Sequence, residues 1–198
     1  MSNKLVLHVE TTGLPDHTGL ARGHYPDFRH LKRYDSSRAV RVSWLILDAE
    51  LFEIERQSYV VKPTDFVIPF GSIQFHGITQ VDAMESGTAL STIAQHLERA
   101  LTTCSVLVGH NLDFSRLVLM SELFREDAFR VLEKVIMLEE CCTMKRAREE
   151  LGRLKYPSLE ELALKFLPDE KDTKLGLCAK IFVFFETHES SQILIAVR

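Results

Sequence analysis

The 198-residue sequence contains no apolar run approaching the roughly 20 residues that a membrane-spanning helix needs. Its charged start, Met1-Ser2-Asn3-Lys4, lacks the apolar region of a secretory signal. An intracellular protein with no membrane partner is expected. Cysteine is sparse, and Cys104, Cys141, Cys142 and Cys178 form no CxxC pair, which excludes a disulfide scaffold and a zinc ribbon. Reduced thiols, and so a reducing compartment, are the expectation. Basic charge is not in excess either: 24 Lys and Arg stand against 28 Asp and Glu, a formal net charge of −4. Nonspecific affinity for nucleic acid comes mainly from basic side chains that neutralise phosphates, so the chain as a whole is no strong attractor of nucleic acid. Linkers, repeats and low-complexity tracts are also missing. With 45% hydrophobic residues, one domain over 1–198 with a sizeable core is expected.

What is present reads as alternating strands and helices. An apolar run, Lys4 to Val9, predicts a buried strand that delivers Glu10 to a Thr11-Thr12-Gly13 turn. Residues 40–48 (VRVSWLILD) and 54–61 (IERQSYVV) predict an antiparallel pair. Between Gly87 and Thr103, Leu90, Ile93, Ala94, Leu97, Ala100 and Leu101 recur at helical spacing. Val106 to Val108 predicts a short buried strand ending at Gly109, and Leu112 to Phe124 a helix. Val135 to Leu138 reads as a short strand and Cys141 to Leu151 as a helix. Ser158, followed three residues later by Glu161, is a capping box. Lys174 to His188 reads as a helix, with a strand as the alternative, and Gln192 to Val197 as a terminal strand. This alternation implies an α/β sheet.

Between the first two strands, a long insertion at roughly 15–39 is basic and aromatic. Arg22, Arg29, Lys32, Arg33, Arg38 and Arg41 stand against Asp27 and Asp35, among Tyr25, Phe28 and Tyr34. Two readings stay open: a grip for a nucleic-acid backbone or a protein partner, or a solvated surface loop.

Three short motifs recur in a recognisable order: His8-Val9-Glu10-Thr11-Thr12-Gly13-Leu14, His76-Gly77-Ile78-Thr79 and His110-Asn111-Leu112-Asp113-Phe114-Ser115. Together with the strand pair, they resemble the DnaQ-like 3′ to 5′ exonucleases of the DEDDh type over about residues 4–187. The resemblance implies an RNase H-like α/β fold, a central mixed sheet of about five strands flanked by helices. It also implies a site of four carboxylates and a histidine. The carboxylates hold two divalent ions that activate water, and the histidine draws off the water's proton.

Carried over residue by residue, that site is degenerate. His8 stands where the first carboxylate belongs, beside Glu10 on the same strand face. Ser115 replaces the carboxylate of the second motif. Asp113 lies two positions earlier, about 200° around a helix, so it substitutes only if the first turn is unwound. In the third motif Lys174 falls at the histidine and Ala179 at the last aspartate. Magnesium prefers several hard oxygen ligands, and Lys174 in the same cleft would oppose a cation. No catalytic residue, metal or cofactor is therefore expected; Mg2+ or Mn2+ would enter only if the site were active. Zinc on His8, Glu10 and Cys178 is the alternative weighed against Cys178 as a buried core residue.

Three functions follow from the resemblance. The first is an inactive exonuclease-like domain that serves as a structural or protein-interaction subunit, within a nucleoprotein or viral assembly. The second is a non-cleaving binder of 3′ ends. The third, an active metal-dependent exonuclease, ranks last, because only Glu10 persists in place.

Overall fold

The computed structural model describes residues 2–21 and 23–188. Arg22 and the expected strand Gln192 to Val197 lie outside the described residues. Among the described residues, five strands form one mixed sheet: β1 (Asn3–Thr11), β2 (Ala39–Leu47), β3 (Glu53–Val60), β4 (Cys104–Gly109) and β5 (Glu139–Cys142), in the order β3-β2-β1-β4-β5. β1 pairs antiparallel with β2 and parallel with β4. β3 extends the antiparallel side and β5 the parallel side. The α-helices described are α1 (Phe70–His76), α2 (Gln80–Ser86), α3 (Leu90–Leu101), α4 (Leu112–Arg125), α5 (Phe129–Met137), α6 (Thr143–Glu150), α7 (Leu159–Phe166) and α8 (Lys174–Thr187). None of them is long and apolar enough to cross a membrane.

Alternation along β1 divides the core. Leu5, Leu7 and Val9 face the cluster built by α3, α4 and α5, while Val6 joins Leu45, Val108, Leu162 and Ile181 under α6, α7 and α8. His8 and Glu10 follow Val6 on the second face, at the end of the strand next to α8. All six periodic apolar residues of α3 are buried. Ser158 and Glu161 make the expected reciprocal cap on α7, and Thr79 and Asp82 make the same motif on α2. Gly77, at φ 73°, ends α1 in the left-handed region and turns the chain into Thr79.

Two expectations are corrected. Val135 to Leu138 is no strand: Val131, Leu132 and Val135 pack from α5 into the core at helical spacing, and the strand begins at Glu139. The helix expected from Cys141 begins instead at Thr143, because Cys141 and Cys142 pair with Val108 and Gly109. α1 and α2 are not marked in the sequence, since neither offers a long apolar stripe. Lys174–Thr187 is helical, so the strand alternative falls.

The long insertion folds back onto the Thr-Thr-Gly turn. Thr12 donates its N–H to the Arg38 carbonyl (2.9 Å) and its hydroxyl to the Ser36 carbonyl (3.0 Å). A Cβ on Gly13 would lie 2.8 Å from the Ser36 carbonyl oxygen, so only glycine admits this approach. Tyr34 is fully buried and donates its hydroxyl to the Pro26 carbonyl (2.6 Å).

Candidate functional site

The register of β1 on β2 sets the centre of the site. Glu10 lies directly opposite Arg41, and Arg41 Nη1 donates to Glu10 Oε2 at 2.8 Å. Around this pair opens a cleft of about 720 Å³, lined by His8, Glu10, Thr11, Leu14, Ser72, Phe75, His76, Phe114 and Lys174, among others. A smaller cavity of about 340 Å³ shares His8 and Lys174 and extends to His110, Glu160 and Cys178. The structure thus brings together His8, Glu10, Arg41 and Lys174, with Phe75 and Leu14 exposed on the walls.

Electrostatics there differ from those of a carboxylate cage. Burial, reinforced by Lys174 and then Arg41, pulls the His8 pKa down to about 4, so the imidazole is neutral near pH 7. Its Nε2 is buried and has no hydrogen-bond partner among the described residues. Burial pushes the Glu10 carboxyl upward, against the opposing pull of Arg41 and Lys174. The 2.8 Å contact nevertheless identifies Glu10 as an ionised partner of Arg41. His76 accepts the Ile78 N–H on Nδ1 (3.0 Å), and burial lowers its pKa.

The remaining candidates are engaged elsewhere. Asp113 sits in the first turn of a helix that has already begun, pairs with Lys145 at 2.7 Å, and does not line the cleft. An unwound turn is therefore not how this chain is built. Ser115 is buried at 2% exposure. Ala179 packs in the core beneath α8. Cys178 is buried and its thiol is pushed up to about 12, chiefly by burial, which disfavours the thiolate a zinc ion needs. His110 meets the Thr143 hydroxyl through Nδ1 (3.0 Å) and the Pro157 carbonyl through Nε2 (3.2 Å), fastening α6 and the start of α7 to β4. Asn111 stands at the N-cap position of α4 in the left-handed region, and its side chain donates to the Tyr25 hydroxyl (3.1 Å) instead of capping the helix.

The basic set also divides. Arg38, expected among the binding residues, is spent inside the fold: it is 7% exposed, donates to Glu122 (Nε–Oε1 2.9 Å) and reaches Asp65 (2.8 Å). Arg41 pairs with Glu10 at the edge of the cleft without lining it. Arg29 is exposed and paired with Asp27 at 2.6 Å, holding that carboxyl down at about 2. Arg33 donates to the Thr18 carbonyl (3.1 Å), and Lys32 is exposed. These three, with Tyr25, Pro26 and His30, line a surface concavity of about 730 Å³. Tyr25 packs on Phe114, with ring centroids 5.7 Å apart, and so adjoins the cleft wall.

A divalent cation does not fit this donor set. Among the described residues no three His, Cys, Asp or Glu side chains converge to hold a metal ion. The one carboxylate in the cleft already binds a guanidinium. The positive charge of that guanidinium, held on Glu10 Oε2, opposes a cation at the same carboxylate.

Comparison with known proteins agrees with this fold. No family model matches the chain, and no curated protein matches it. Among solved structures it is similar to product-bound exonuclease I (TM-score 0.70, 17% identity, covering 100% of this chain and 46% of that one). It is similar also to E. coli exonuclease I in complex with a dT13 oligonucleotide (TM-score 0.71, 17% identity, 98% and 43%). Apo exonuclease I gives a TM-score of 0.66 at 19% identity, with 100% and 47% covered. The chain thus spans less than half the length of these structures, and identities this low establish the RNase H-like exonuclease fold alone.

Proposed function

We propose that this chain is a non-hydrolysing domain of exonuclease fold whose cleft binds an end of single-stranded nucleic acid. The observation that carries the reading is the Arg41–Glu10 pair. In the resembled exonucleases this position gathers carboxylates around cations; here the cleft offers Lys174, a neutral imidazole and one carboxylate neutralised by Arg41. It repels phosphate less than a carboxylate cage would, and its apolar walls, Leu14, Phe75 and Phe114, suit a stacked base. Solved relatives of the fold hold oligonucleotides, as in the E. coli exonuclease I complex with dT13. The reading needs no Mg2+ or Mn2+.

Anisotropy titrations of fluorescent single strands across a salt series test it. Affinity should fall as salt rises, as binding to phosphates requires. An Arg29→Ala/Lys32→Ala/Arg33→Ala variant should flatten that slope by about 1 to 3, one for each phosphate it no longer neutralises. Absence of strand binding at low salt would remove the reading.

A second reading, a structural or protein-interaction subunit, draws on one surface. Val67, Phe70, Phe75, Val81 and Met84, on or just before α1 and α2, are all exposed. Exposed apolar side chains gathered on one pair of short helices suit a protein partner. Intracellular location in a reducing compartment belongs to both readings, in keeping with four free thiols.

A further inference from the structure

We infer that Arg41, Lys174 and the first turn of α8 form a phosphate site that holds the terminal phosphate of a strand without a divalent cation. The inference rests on the end-binding reading above and names the chemistry its cleft would take. Arg41 commits one of its five N–H donors to Glu10 among the described residues, and its side chain stays 32% exposed. The rest of its planar fork matches phosphate geometry.

Lys174 is exposed, lines both cavities that meet at His8, and forms no ion pair among the described residues. It is also the first residue of a 14-residue helix. Thr173 caps that helix by accepting the Gly176 N–H, so the N–H groups of Lys174 and Leu175 have no intrahelical partner. The positive end of the helix dipole therefore coincides with the lysine. His8 adds a neutral ring whose buried Nε2 lacks a partner among the described residues. Opposing these are Glu10, already bound to Arg41, Glu160, which is exposed and so screened by salt, and Asp172, whose carboxylate lies against Gly176 in the first turn of α8 but is itself paired with Arg56 (2.9 Å) and Lys180 (3.5 Å).

A terminal phosphate is favoured over an internal diester by charge. Near neutral pH a monoester carries close to two negative charges and three acceptor oxygens, whereas a diester carries one charge. Divalent ions perform this neutralisation in the resembled exonucleases; here the guanidinium and the ammonium supply it from side chains.

The test measures binding of oligothymidylates ending in a 3′-phosphate or a 3′-hydroxyl, in Mg2+ and in EDTA, to the native chain and to Lys174→Gln. Thermal unfolding first verifies that the variant folds, as its exposure predicts. The 3′-phosphate strand should bind about tenfold tighter, the worth of one charge-assisted hydrogen bond, equally in Mg2+ and EDTA. Lys174→Gln should erase that preference, so that the two strands bind the variant with equal affinity. Equal affinity for both ends, a requirement for Mg2+, or a preference surviving in Lys174→Gln would overturn the inference and leave end binding standing. Binding of neither strand would end both. Inorganic phosphate should displace the strand only at far higher concentration; displacement at equal concentration would reassign the site to a free anion.

Discussion

His8 stands beside Glu10 on one strand face, and its burial gives the fold a measurable pH dependence. With a folded pKa of about 4 against 6.5 when unfolded, His8 is neutral in the folded state across a window in which the unfolded chain takes up a proton. Its contribution is therefore intact above pH 6.5 and is lost as pH falls towards 4. At pH 5 the loss is about 2 kcal/mol relative to pH 7.5. Urea unfolding at the two pH values should show the native chain losing about that much more than His8→Gln. Parallel behaviour would mean that His8 is hydrated in the folded state. The shared face of His8 and Glu10 was legible in the sequence, because side chains two apart on one strand point the same way. The partner of Glu10 was not. Arg41 stood in the basic set, but its place opposite Glu10 depends on the register of β1 against β2, which neither strand encodes alone.

Among the elements, the junction of the long insertion with β2 and α4 carries the most deeply buried ion pair among the described residues. Glu122, 2% exposed, accepts from Arg38 Nε and from the Ala39 backbone N–H (both 2.9 Å). It thereby closes the insertion at the first residue of β2. Removing one partner of such a pair strands the other, so Glu122→Ala should cost on the order of 3 to 5 kcal/mol in denaturant unfolding. A cost below about 1 kcal/mol would show that water reaches Arg38. Nothing in the sequence marks Glu122: it sits in a helix whose apolar residues occur on every side, and an acidic residue there reads as solvent-facing. Strong stripes, by contrast, read correctly. α3 shows its buried face at three- and four-residue spacing, and Ser158 with Glu161 announces α7. The four apolar residues Val135 to Leu138 suited strand or helix equally, and packing against the core decided for α5.

At the scale of the whole molecule, a five-stranded exonuclease-like sheet brings β1, α1, α4 and the head of α8 to one cleft. The fold was legible because several short motifs in order constrain a topology more than any single one. The guanidinium on Glu10 required three-dimensional pairing to see, whereas Lys174 was already expected in the cleft. Hydrolysis separates a binding cleft from a working one. The decisive measurement is degradation of a labelled single strand from its 3′ end, with Mg2+ or Mn2+ at high protein concentration, beside Glu10→Ala. The native chain should release nucleotides no faster than the variant. Metal-dependent release that vanishes in Glu10→Ala would contradict the non-hydrolysing reading, showing that Arg41 yields Glu10 to a cation and that the cleft is a working nuclease.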